Sequence, residues 1–89
     1  MNIKQYKNKV ASLGCIISGQ PAELHHPRFT QGMSQRASDW LVIPLSKYHH
    51  RTGPFGQAVH NGQHIFELNY GKEADLLAMT IKRVMEGLK

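Results

Sequence analysis

The chain has 89 residues, 40% of them hydrophobic, and its 11 lysines and arginines outweigh six acidic residues to give a formal charge of +5. That length holds one small domain with a modest core, and apolar residues spread along the chain exclude wholesale disorder. No run approaches the roughly 18 apolar residues of a membrane span, the N-terminus lacks the apolar core of a secretory signal, and the one cysteine, Cys15, excludes an internal disulfide, so a soluble cytoplasmic protein is expected.

Ile3, Tyr6, Val10 and Leu13 recur every three or four residues and predict a short basic helix over 3–13, ended by Gly14. Cys15, Ile16 and Ile17 run into Ser18-Gly19-Gln20-Pro21, which reads as a knuckle or tight turn. Residues 22–26 read as a short strand stopped by Pro27, and the polar stretch 27–38 as a loop. Trp40-Leu41-Val42-Ile43-Pro44-Leu45 is the best strand candidate, aromatic and β-branched, with Pro44 marking an edge or a strand end. Ser46 is placed to cap a helical turn through His50, and 51–56, with two glycines and a proline, is a loop. Over 57–69 a helical start at Gln57-Ala58-Val59-His60 is interrupted by Gly62, and a second helical piece runs from His64 toward Gly71. Over 72–88, Leu77, Ile81, Val84 and Leu88 form one apolar stripe with Ala74 and Met85 beside it, an amphipathic helix that packs on the core.

Histidine is the outlier. Six histidines in 89 residues is about three times ordinary usage, and they include two adjacent pairs, His25-His26 and His49-His50, followed by His60 and His64. Neighbours on a strand point to opposite faces, so one member of a pair can ligate a metal while the other meets a substrate. Neutral imidazole suits first-row cations, and histidine titrates near neutral pH as a general base must. One base plus one cation suffices to hydrolyse a phosphodiester. The basic surplus favours an anionic partner, nucleic acid being the commonest. Arg28, Arg36, Lys47 and Arg51 flank the histidine motifs and are the candidate phosphate contacts.

The ordered set Cys15-x-x-Ser18-Gly-x-Pro-Ala-Glu-x-His25-His26, then Ser38-Asp39-Trp40-Leu41-Val42-Ile43-Pro44-Leu45, then His49-His50-Arg51-Thr52-Gly53, then His60 and Gly62, resembles the HNH or ββα-metal endonucleases. Within them it is most similar to the phage recombination-enhancement (Ref-like) nucleases, over residues 15–71. The resemblance implies an α+β fold, a ββα-metal hairpin and helix with flanking N- and C-terminal helices, in a single domain over 1–89. It implies His25, His50 and His60 as ligands of one divalent cation (Mg, Mn, Ni or Zn), His26 as general base, and Asp39 as the residue that orients that base. It implies DNA as partner, with recombination proteins as further candidates, and leaves open whether His49 or His64 joins the metal.

Many such relatives carry a separate structural zinc knuckle. Here Cys15 and Ser18 stand at its first pair of ligand positions, with Ser46 and His49 at the second. Serine is a poor zinc ligand, so loss of that zinc is expected. A DNA-binding module with a structural metal and no catalysis stands as the rival reading.

Overall fold

A reciprocal cap starts the first helix. The Asn2 side chain accepts from the backbone N–H of Gln5 at 2.8 Å, and the Gln5 side chain accepts from the backbone N–H of Asn2 at 2.9 Å, satisfying two donors that a helix N-terminus otherwise leaves without partners. This opens α1, Ile3–Ser12, in a computed structural model that describes residues 1–28 and 38–88. Gly14 follows in the left-handed region at φ +78°, where an added Cβ would lie 3.0 Å from the carbonyl oxygen of Gly19. The chain then folds into a knuckle. Cys15 N–H donates to the Gln20 carbonyl at 2.7 Å and Gly19 N–H to the Cys15 carbonyl at 2.8 Å.

β1, Ala22–His25, pairs antiparallel with β2, Ile43–Ser46, in a two-stranded sheet whose register sets Ala22 opposite Ser46 and His25 opposite Ile43. The second strand starts later than its composition predicts. Leu41 N–H instead turns back to the Ser38 carbonyl at 3.1 Å, and Trp40, 45% exposed, packs on Tyr6 with ring centroids 5.0 Å apart. Pro44 is tolerated because a two-stranded sheet is all edge, and its carbonyl accepts from Ile16 N–H at 2.9 Å. Ser46 Oγ accepts from His49 N–H at 3.2 Å and leads into a five-residue π-helical turn, Tyr48–Thr52.

Residues 57–60, expected to be helical, form turns closed by a single bridge between Ala58 and Asn61. Their backbone is claimed by the preceding turn: Val59 N–H donates to the His49 carbonyl at 2.8 Å and His60 N–H to the His50 carbonyl at 3.1 Å. Gly62, at φ +85° with the Phe55 ring 2.6 Å from a would-be Cβ, starts α2, Gln63–Tyr70. Gly71 ends it, and α3 runs over Glu73–Gly87.

The buried face of α3 keeps only Leu77 and Val84 of the stripe that periodicity picks out. It consists of Glu73, Leu76, Leu77, Thr80 and Val84, while Ile81 is 38% and Leu88 54% exposed. The roll that brings Glu73 and Leu76 inward turns Ile81 and Leu88 out. The core has two parts. Cys15, Ile16, Ile43, Leu45, Val59, Phe66, Leu76 and Leu77 form one, and Tyr6, Val10, Val42 and Val84 the other. Full burial of a side chain such as Phe66 or Ile43 contributes about 1.5–3 kcal/mol. The result is a small α+β fold in which the end of β1, the π-helical turn and the start of α3 converge. Among the described residues no helix is long and apolar enough to cross a membrane.

Candidate metal centre

Three imidazoles meet at that convergence. His25 ends β1, His50 lies in the π-helical turn, and the backbone tie to that turn carries His60 beside it. Ring centroids are 5.1 Å apart for His25 and His50, 5.0 Å for His25 and His60, and 4.7 Å for His50 and His60. Each ring offers one nitrogen, and these nitrogens all lie within 4.8 Å of one another.

The donor set fits a first-row divalent cation, for which neutral imidazole is a good ligand. A cation about 2.1 Å from each nitrogen keeps tetrahedral ligands roughly 3.4 Å apart, so nitrogens within 4.8 Å of one another need close by no more than about 1.4 Å to share one.

Carboxylates orient two of the rings from behind. Nε2–H of His25 donates to Glu73 Oε2 at 2.6 Å, both side chains being 2% exposed, which leaves Nδ1 of His25 with its lone pair. Glu73 is fixed in turn. Its other oxygen accepts from Gln63 Nε2, and its backbone N–H donates to Glu67 Oε2 at 2.9 Å. It also sits in the first turn of α3, where the helix dipole favours negative charge.

His50 Nδ1–H donates to Glu23 Oε1 at 3.1 Å, leaving Nε2 for a ligand. The Arg51 guanidinium, joined by His50, holds the Glu23 carboxyl at about 2, well under the usual range. Burial pushes His50 below the ordinary histidine value against the opposing pull of Glu23. Burial likewise lowers His60, assisted by charge on His25 and His50. Rings kept neutral in this way are competent ligands.

His26, adjacent to His25, is not part of the cluster. Its Nε2 lies 2.9 Å from Asp39 Oδ1, with the two side chains 34% and 46% exposed. His49 is buried, its Nδ1–H donating to the Gln57 carbonyl at 2.9 Å, with the rings of Tyr48 and Tyr70 5.0 and 4.9 Å away. His64 is exposed on α2 and also outside the cluster.

Of the four basic residues expected to meet phosphate, Lys47 is exposed, Arg51 is paired with Glu23 and Arg28 donates to His60 Nδ1 at 2.9 Å. Arg36 lies outside the described residues.

At the opposite end of the hairpin Cys15 is 2% exposed. Burial pushes its thiol up, but hydrogen bonds from Ser18 and from the backbone of Ser46 and Ile17 outweigh that and bring it below the ordinary value. Ser18 N–H lies 3.4 Å from the sulfur.

The carboxylates Glu73 and Glu23 escaped sequence reasoning as parts of the site. Glu23 sits two residues before His25 on the same strand, so it shares that histidine's side of the sheet only by alternation. Glu73 carries a clearer signal, an acidic side chain three and four residues ahead of the apolar pair Leu76 and Leu77 and so on their face of the helix.

A family model described as "Protein of unknown function (DUF968)" matches residues 1–87. No curated protein and no solved structure matches the chain.

Proposed function

The chain belongs to the DUF968 family, and we propose that it is a metal-dependent DNA endonuclease of the ββα-metal type, hydrolysing phosphodiester bonds with a histidine base. The observation that carries the reading is one adjacent pair divided between two tasks. His25 joins His50 and His60 around a common point, while His26 is engaged by Asp39.

A divalent cation, when bound, supplies positive charge to the phosphate oxygens and the leaving group. Imidazole donors favour a first-row ion such as Mn, Ni or Zn over Mg, which prefers oxygen ligands. Glu73 and Glu23 fix the tautomers of His25 and His50 and raise their basicity. Asp39 fixes the tautomer of His26, so that Nδ1 accepts the proton of the attacking water. Lys47 and Arg28 lie on the exposed surface and contribute phosphate contacts, with Arg36 and Arg51 as further candidates.

The test is nicking of supercoiled plasmid by chelator-treated protein with Mg, Mn, Ni or Zn restored in turn. His26→Ala should cost about 10²–10⁴-fold in rate while leaving cation affinity near wild type. Wild-type nicking by that variant removes the base assignment. Unfolding on chelation, with no cutting under any cation, removes the enzyme reading.

A further inference from the structure

Arg28 follows β1 by three residues and comes down on His60, its Nη2 2.9 Å from Nδ1. A guanidinium only donates hydrogen bonds, so Nδ1 of His60 presents a lone pair and the single ring hydrogen sits on Nε2. That hydrogen is directed to Nε2 of His50 at 3.1 Å. His50 can accept there because its own hydrogen, on Nδ1, goes to Glu23. Donors therefore run one way, from Arg28 through His60 and His50 to the carboxylate.

A cation cannot join this arrangement without removing Arg28. If it takes His60 through Nε2, the lone pair must be there and the ring hydrogen must move to Nδ1, where it opposes the N–H of Arg28, donor against donor. If it takes Nδ1, it occupies the lone pair that Arg28 uses. In both cases the ring keeps one hydrogen and no proton is gained or lost by the pair. The guanidinium is displaced, and it is on the exposed surface, where a phosphate can receive it.

We propose that Arg28 and the cation compete for His60, so that loading the metal site releases Arg28 to bind a phosphate of the nucleic acid. The inference rests on the metal reading above and adds a coupling to it. Arg28 opposes cation binding when no phosphate is present and contributes to DNA affinity chiefly once the cation is in place. By linkage, DNA then tightens the cation by the factor by which the cation tightens DNA.

The experiment is calorimetric titration of Mn into wild type and Arg28→Ala, with and without a short DNA duplex, and duplex binding by each protein with and without Mn. A hydrogen bond between an exposed charged group and a ring nitrogen corresponds to roughly a fivefold effect. Arg28→Ala should therefore bind Mn about fivefold more tightly without DNA and show a smaller Mn-induced gain in DNA affinity. Arg28→Gln, whose amide can accept as well as donate, should resemble the alanine variant in Mn affinity. Unchanged or weaker Mn binding by both variants, with wild type binding normally, overturns the competition alone. Failure of the wild type to bind Mn, Ni or Zn overturns the metal reading and this inference with it.

Discussion

His49 and His50 are neighbours on one turn and live in opposite chemistry. His50 faces two other imidazoles and has a carboxylate, Glu23, behind it. His49 has a backbone carbonyl behind it and tyrosine rings around it. A carboxylate partner raises the basicity of an imidazole and balances the charge of an ion it holds. A neutral carbonyl with aromatic neighbours satisfies one N–H and leaves a packing residue. His25 and His26 divide by depth instead, since each has a carboxylate behind it: His25 is buried on Glu73 and His26 is half-open on Asp39. What an imidazole does in this protein follows from its partner and its burial together.

The strongest way to break that distinction is to remove the deepest partner. Glu73→Ala leaves the buried N–H of His25 and the Gln63 amide without their acceptor, and each buried donor left unsatisfied costs about 1–3 kcal/mol, a large share of the stability of a small domain. It should also weaken cation binding about 10–100-fold, as the loss of an outer partner does. Urea unfolding and Mn calorimetry read the two effects. Glu73→Gln keeps the shape and should recover part of the stability. An unchanged unfolding midpoint in the alanine variant would show that the carboxylate is incidental.

Glu73 also marks where sequence reading stops. The histidines were legible because they are scarce, paired and chemically specific, and the hairpin because Pro27 and the apolar run before Ser46 punctuate it. The partner of His25 lies 48 residues away, and no local spacing encodes a contact of that range. Periodicity picks out one stripe on α3, from Leu77 to Leu88, and the buried face is rolled from it to take in Glu73, which meets His25. Residues 57–60 had helical composition, yet the N–H groups of Val59 and His60 bond to the carbonyls of His49 and His50, a pairing that exists only once the turn has formed.

The Cys15 end sharpens the comparison by addition. If Ser18 and Ser46 stand where relatives place zinc thiolates, the double variant Ser18→Cys/Ser46→Cys assembles three thiols with His49 and should bind zinc. At a free zinc concentration of 100 times Kd the gain is about 2.7 kcal/mol, read as a rise in Tm that a chelator reverses. His50→Ala in that background should leave this zinc in place, because the two sites share no side chain. A double variant that takes up no zinc argues against the knuckle ancestry of this end.

Exchanging the neighbours is the next smaller step. His49→Ala removes a buried ring and leaves the Gln57 carbonyl without its donor, an expected loss of about 2 kcal/mol with cation affinity intact. His50→Ala should do the reverse, abolishing cation uptake with a smaller change in unfolding free energy. Cation affinity that falls equally in both variants would erase the contrast between the two residues.

The smallest effect is the response to acid, and its sign follows from the partners. In chelator, His50 and His60 are held below the ordinary histidine value of 6.5, so the unfolded chain takes up protons before the native one does. Their contribution is complete above about pH 6.5 and declines as pH falls toward the lowered native values. Glu23 acts lower down. With its carboxyl at about 2 against an ordinary 4.5, its contribution is present above 4.5 and disappears as pH approaches 2. Acid therefore weakens the histidine end in two windows, one opening below about pH 6.5 and the other below 4.5. Unfolding free energies across pH 8 to 3 should show both, with His60→Gln flattening the upper window and Glu23→Gln the lower. A His60→Gln profile parallel to wild type would mean that burial at the cluster carries no linkage, and the distinction between the two ends would then rest on geometry alone.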